Sequence, residues 1–241
     1  VTVGAYTIIG KDVKIGDGTV IDSHTVIAGK TTIGKNNHIF SHASIGTIPQ
    51  DLKFEGEATT VEIGDRTVIR ECVTIHRATK DRWKTLIGND CLLMTYVHIA
   101  HDCHIGNNVI LASYVGLSGH VTVQDHAILE GMVAAQQFVT VGAHAFVGGA
   151  SLIRKNIPPF IKCAREPLTF AGVNSIGLRR RGFSDEQVRE IEDIYRVLYV
   201  QNNNMSKGIE QVRETMPNSP LQEQIINFIE SSDKGVIKGM V

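Results

Sequence analysis

Aliphatic residues recur at every sixth position through most of this chain, and no other feature restricts its fold as tightly. The beat runs from Val3 through Ile9 and Ile15 to Ile45, resumes at Ile63, Ile69 and Ile75, and continues from Ile87 through Ile99 and Leu111 to Ile153. Six fits neither the 3.6-residue turn of a helix nor the alternation of a hairpin strand. It fits a chain coiling in short strands, each sending one large aliphatic side chain inward and placing a small residue at the corner. The aliphatics then stack in ladders, and parallel backbone hydrogen bonds between coils satisfy the main chain. The expected fold is mainly β, a parallel β-helix.

Two polar stretches interrupt the beat, at about 47–60 and 77–85, and such a coil pushes insertions outward as loops. The beat stops at Asn156-Ile157-Pro158-Pro159, where two prolines remove backbone donors. After a connector over 158–183, Ser184-Asp185-Glu186-Gln187 reads as a capping-box helix start. Val188, Ile191, Ile194, Tyr195 and Leu198 follow at helical spacing. Further helices are expected around Ile209 and Val212, ended by Pro217, and around Leu221, Ile225 and Ile229. The organisation is a β-helix over 1–157 and a small helical domain over 184–241 that closes one end. Because the beat is already running at Val3, one or more N-terminal coils are expected to precede it.

Lys and Arg total 24 against 25 Asp and Glu, a balance that offers no general attraction to nucleic acid or an anionic membrane. No apolar run approaches the ~18 residues of a membrane span, and no signal peptide is visible. Cys72, Cys91, Cys103 and Cys163 form no CxxC pair and are expected as buried free thiols in a reducing cytosol.

The hexapeptide repeat resembles that of the left-handed β-helix acyltransferases, in which three repeats make one triangular coil and residues eighteen apart stack. That ruler puts His101, Gly119 and Gln137 in one column, Asp102, His120 and Phe138 in the next, and His126 under His144. An imidazole beside an unobstructed glycine N–H is the minimum kit for acyl transfer: a base to deprotonate a hydroxyl and a donor for the oxyanion. Asp102 is placed to orient the imidazole. The same histidines at one corner also allow a zinc site, given a third ligand. His24, His38, His42, His104 and His126 read as polar corner residues. No Ser or Cys stands in a nucleophile setting, so direct transfer is the simpler mechanism.

A more specific resemblance rests on the stretches that break the generic repeat. Gln50-Asp51-Leu52-Lys53, Val73-Thr74-Ile75-His76-Arg77, His98-Ile99-Ala100-His101-Asp102-Cys103, Gly119-His120-Val121, Gln137-Phe138, Val147-Gly148-Gly149 and Arg180-Arg181-Gly182-Phe183-Ser184 are together similar to the acyl-ACP:UDP-N-acetylglucosamine O-acyltransferase family of lipid A biosynthesis. The resemblance implies a cytoplasmic homotrimer with active sites between subunits. It further implies transfer of a 3-hydroxyacyl chain from acyl carrier protein to the glucosamine 3-hydroxyl of UDP-N-acetylglucosamine. No cofactor is expected beyond the phosphopantetheine that carries the donor, and no metal. His101 is implied as general base, Asp102 as its partner and the Gly119 N–H as oxyanion donor.

In the same resemblance Gln50, Asp51, Lys53, His76, His98, His120 and Gln137 bind or flank the sugar and acyl groups. Asn174, Arg180 and Arg181 hold the nucleotide, where guanidinium suits a diphosphate. Gly149 stands at the end of the acyl groove and leaves room for a longer chain, while Phe146 narrows the same groove. Gln136 departs from the family pattern, which has His there. Arg189, Arg196 and Arg213 are candidates to meet the acidic carrier protein. Two alternatives remain at this point, an N-acyltransferase of the same pathway and a zinc hydratase on the same β-helix.

Overall fold

The computed structural model describes residues 1–239; Met240 and Val241 of the expected helical domain lie outside them. Short strands, mostly two residues long, form three sheets with parallel pairing through the coils. The first face contains strands such as Leu92–Leu93 and Ile110–Leu111, the second His98–Ile99 and Gly116–Leu117, and the third His104–Ile105 and Thr122–Val123. His98 pairs with Gly116, Gly116 with Ala134 and Ala134 with Leu152, eighteen residues per coil. Ile99, Leu117, Ile75 and Ile45 are fully buried. Each such side chain contributes roughly 1.5–3 kcal/mol by leaving water, which makes these ladders the main source of cohesion.

The small buried residues lie two positions before each ladder residue, as at Val97, Cys103 and Val115. The residue before each of these takes positive φ and is often large: Tyr96, Asp102, Tyr114, His120 and Phe138 all do so, between φ 60 and 68. The corner is thus turned by one left-handed residue whose side chain projects from the edge; Tyr96, Tyr114 and Phe138 stay exposed there, whereas Asp102 and His120 are covered. The corners present much of the polar chemistry, joined by His76 and His98 from strands of the second face.

Both interruptions leave at one corner, between the second and third faces. They occupy 48–59 and 77–83, so Lys84 and Thr85, expected in the second loop, belong to the strand Lys84–Ile87. Val68 pairs with His38, thirty residues back, and with Leu92, twenty-four ahead. The loops therefore add two hexapeptides and one hexapeptide to the eighteen-residue coil, which is why the beat resumes in phase. The first loop is largely exposed. The second is not simply outward, since Ala78 and Thr79 are buried.

The stretch expected as a connector carries structure of its own. Ile161–Ala164 extends the first face, pairing in parallel with Phe146–Val147 at an offset of sixteen, and Thr169–Val173 returns antiparallel. Pro158 and Pro159 shorten the last turn by two residues, so this strand falls off the beat. Helix α1 (Ser175–Arg180) follows, then α2 (Asp185–Arg196), α3 (Met205–Thr215) and α4 (Pro220–Glu230). The capping box at α2 is formed: the Gln187 N–H donates to Ser184 Oγ, and the Ser184 N–H donates to Gln187 Oε1. The buried Tyr195 of α2 donates its hydroxyl to the Pro159 carbonyl at 2.6 Å, tying the helices to the end of the coil.

Candidate active site

The corner between the second and third faces gathers four of the predicted histidines. His101 and Asp102 turn it in one coil, Gly119 and His120 in the next, Gln137 and Phe138 in the third; the backbone bonds His120 N–H to His101 O and Phe138 N–H to Gly119 O stitch the column. The His120 ring meets His101 edge-on at 5.1 Å and stacks on Phe138 at 4.4 Å. One coil below, His76 meets His98 edge-on at 5.1 Å, and His98 Nδ1 lies 2.7 Å from the Thr74 hydroxyl. Gln137 is half-buried and Gln136 exposed.

Asp102 is fully buried, and its Oδ2 lies 2.8 Å from His101 Nδ1. Burial pushes its carboxyl up, but donors from His101, Thr79 and Arg82 outweigh that and hold it below the usual range. An ionised Asp102 can only accept, so the proton sits on Nδ1 and His101 keeps a lone pair on Nε2. That Nε2 has no partner among the described residues and is not sealed from solvent. Burial lowers the pKa of His98 and His120, and it lowers that of His76 to about 4, with His98 and His101 as secondary causes. These neighbours therefore stay neutral at pH 7.

Gly119 packs against the His101 ring, and a Cβ there would stand 2.6 Å from Nε2. Only glycine lets the ring lie over this backbone. The Gly119 N–H has no acceptor among the described residues.

Ligand-capable atoms of His101, Asp102 and His120 lie within 4.8 Å of one another, the spacing a metal reading needs. The donors around Asp102 do not fit it. Oδ1 accepts from the backbone N–H groups of Thr79 and Arg82; Oδ2 accepts from the Thr79 hydroxyl, the Thr79 N–H and His101. About four lone-pair sites are available on a carboxylate, and these bonds take them all. Thr79 and Arg82 were missed in the sequence because neither belongs to the eighteen-residue column; only the added hexapeptide marked the segment.

Other predicted residues stand elsewhere on the chain. Gln50, Asp51 and Lys53 sit on the outward first loop, where Asp51 Oδ1 accepts the Lys53 N–H, and their side chains form no hydrogen bond or ion pair with the histidines among the described residues. Gly149 lies at the corner between the first and second faces, its N–H donating to Glu130 Oε2, and Phe146 points outward from the first face. Asn174 and Arg181 approach the remaining corner, between the third and first faces. There Asn174 Nδ2 donates to the His144 carbonyl, and His144 stacks on His126 at 4.7 Å. Arg180 is exposed, whereas Arg181 Nη1 is buried without a partner among the described residues.

Arg189, Arg196 and Arg213 already face Glu186, Asp193 and Glu230. A stronger positive surface surrounds a cleft of about 430 Å³ at the top of the second face, where Lys155, Arg165 and Lys238 accompany the Arg154–Glu166 pair. None of the five main clefts is lined by His101, Asp102 or His120. In a single chain His101 and His120 are only 6% and 7% exposed and Asp102 is fully buried.

A β-helix of hexapeptides with a buried His–Asp pair at one corner defines the class of hexapeptide-repeat transferases, and residues 84–119 match the family profile described as bacterial transferase hexapeptide (six repeats). Residues 156–237 match a second profile, UDP N-acetylglucosamine O-acyltransferase, domain 2. Proteins named acyl-(acyl-carrier-protein)–UDP-N-acetylglucosamine O-acyltransferase are similar along the whole chain. The one from Thermodesulfovibrio yellowstonii is 44% identical over 240 residues, covering 99% of this chain and 93% of the relative, and that from Saccharophagus degradans 45% over 239 residues with the same coverage. The UDP-N-acetylglucosamine acyltransferase structure of Francisella novicida matches with TM-score 0.94 at 39% identity, covering 98% of this chain and 90% of that one. The corresponding structure from Acinetobacter baumannii matches with TM-score 0.93 at 38% identity, covering 98% and 92%. The chain belongs to the acyl-(acyl-carrier-protein)–UDP-N-acetylglucosamine O-acyltransferase family and has its left-handed β-helix fold.

Proposed function

We propose that this chain transfers a 3-hydroxyacyl group from acyl carrier protein to the glucosamine 3-hydroxyl of UDP-N-acetylglucosamine, the first step of lipid A biosynthesis, by direct general-base catalysis. The observation that carries the reading is the His101–Asp102 pair, with Nε2 free and the Gly119 N–H beside it, in a chain of this family. His101 Nε2 takes the proton of the sugar hydroxyl as its oxygen attacks the thioester carbonyl. The oxyanion of the tetrahedral intermediate accepts from the Gly119 N–H. On collapse the C–S bond breaks, and the imidazolium returns its proton to the departing phosphopantetheine thiolate. A positioned base supplies roughly 10²–10⁴ in rate, and an oxyanion donor roughly 10²–10³. Both substrates place the reaction in the cytoplasm; no helix among the described residues is long and apolar enough to cross a membrane.

The assembly is proposed as a homotrimer. The histidines, Gly149 and Arg181 occupy three different corners of one chain, so a single copy offers a substrate base, acyl stop and phosphate ligand on three separate edges. A three-fold arrangement brings different corners of neighbouring copies to one cleft and covers the small part of His101 that still reaches the surface, so that acyl transfer excludes water. On this reading Gly149 leaves the acyl groove open to a long chain and Phe146 narrows it.

A mass-spectrometric transfer assay with UDP-N-acetylglucosamine and a series of 3-hydroxyacyl carrier proteins tests the activity. Wild type should form product after chelator treatment, and His101→Ala should not. Co-refolding His101→Ala chains with Arg181→Ala chains, assayed at UDP-sugar well below the raised KM of the Arg181→Ala enzyme, tests the shared site: the mixture should exceed the sum of its separately folded components, and a mixture no better than that sum would refute it.

A further inference from the structure

We infer that the inserted loop 77–83 is a clamp on the Asp102 carboxylate, with Thr79 as a positioning residue for acyl transfer. The inference rests on the His101–Asp102 mechanism above and adds the reason that mechanism can operate. Two aspartates occupy equivalent left-handed corner positions, Asp90 at φ 56 and Asp102 at φ 60. Asp90 keeps 38% of its side chain exposed and pairs with the exposed Arg66. Asp102 keeps none, because the loop folds back and buries Ala78 and Thr79 against it. Burial of this carboxylate is therefore created by the insertion and is not a property of the corner.

A buried carboxylate beside a neutral imidazole is costly unless it is hydrogen-bonded on every side. The loop supplies those bonds. The Thr79 hydroxyl donates to Oδ2 at 2.7 Å, the Thr79 N–H reaches both oxygens at 3.0 and 3.2 Å, and the Arg82 N–H donates to Oδ1 at 3.1 Å. The Arg82 guanidinium braces the same residue from behind, donating to the Asp102 carbonyl at 3.0 Å and to Thr122 Oγ1 at 3.2 Å. Asp81 Oδ2 stands 3.0 Å from His120 Nδ1, without hydrogen-bond geometry, so the loop faces the second histidine as well. With these donors in place, Oδ2 has one direction left, toward His101 Nδ1. Thr79 touches no substrate; it fixes the acceptor that fixes the base.

The test compares Thr79→Val, which keeps the shape and removes the hydroxyl, with Thr79→Ser, which keeps the hydroxyl, each in the full chain and with Thr79→Val also placed in an Asp102→Asn background. Thr79→Val should lower kcat roughly tenfold with KM for both substrates within about twofold, as expected for loss of an outer partner of a catalytic group. Thr79→Ser should restore kcat to within about threefold, and Thr79→Val should cost nothing further in the Asp102→Asn chain. Equal losses in Val and Ser, or the same loss with and without Asp102, would assign Thr79 a merely structural role. Full activity in Thr79→Val would remove the clamp, and full activity in Asp102→Asn would remove the pair on which it acts. Thr79→Ala serves the same comparison if the Val variant misfolds.

Discussion

His101 and Asp102 are neighbours in sequence, and their side chains still meet, Nδ1 to Oδ2 at 2.8 Å. On a strand adjacent side chains point to opposite sides. Here the left-handed φ of 60° at Asp102 turns the chain between them and brings both side chains to the same edge. The corner that gives the coil its triangular section thus also assembles the catalytic pair.

Asp102→Asn should be far more damaging than its small change in shape implies. An amide in that pocket can donate to Nδ1, which would move the imidazole proton to Nε2 and remove the base. A loss of kcat on the order of a thousandfold is expected, by analogy of role with other His–carboxylate pairs. Steady-state kinetics check it; a loss under tenfold would show that the tautomer is not set by Asp102.

Gly119→Ala places a methyl 2.6 Å from His101 Nε2. The backbone cannot yield without disturbing the column, so the ring must rotate off its bond to Asp102. Turnover should fall by about two orders of magnitude, the scale of losing a positioned base. The melting temperature should change little, because the aliphatic ladder is untouched. An active Gly119→Ala enzyme would mean that the ring does not need this packing.

The β-helix and the column of His101, Gly119 and Gln137 were legible because a fixed period converts sequence distance into height. Whatever lay off that period was not. Thr79 and Arg82 reach Asp102 through an added hexapeptide whose fold the repeat does not dictate, and Ile161–Ala164 joins the first face at an offset of sixteen, off the eighteen-residue beat, after two prolines. Arg189, Arg196 and Arg213 read as a free basic patch only because their carboxylate partners depend on helix geometry and, for Arg213, on a second helix.

Acid should weaken the fold from the histidines first. Burial, with the neighbouring His126 and Arg181 as lesser causes, holds His144 at about 4; burial, with His98 and His101, does the same for His76. Their unfolded value is about 6.5, so between those limits the unfolded chain binds more protons and stability falls as pH drops from about 6.5 toward 4. Asp102, shifted downward, contributes stability present above about pH 4 and lost only as pH falls through its own lower value. His144→Phe should keep the stack on His126 and remove a buried ring nitrogen that has no partner among the described residues. Phe138 already holds the same left-handed corner conformation at φ 68. Melts at pH 7 and pH 5 should show a smaller drop for His144→Phe than for wild type; equal drops would place the acid sensitivity elsewhere.

Arg181 has no ion-pair partner among the described residues. Its Nη1 is buried without an acceptor among the described residues, and burial lowers its pKa beside His126 and His144. A desolvated guanidinium of this kind gains most from a bidentate oxyanion such as a diphosphate. UDP at a hundredfold excess over its Kd should therefore stabilise wild type by about 2.7 kcal/mol. Arg181→Ala should be stabilised far less at the same concentration. In turnover the variant should show a KM for the UDP-sugar raised at least roughly tenfold with kcat nearly unchanged, the pattern of lost uniform binding. An unchanged KM together with an unchanged thermal shift would mean that the buried cation serves the fold alone and that the nucleotide is held elsewhere.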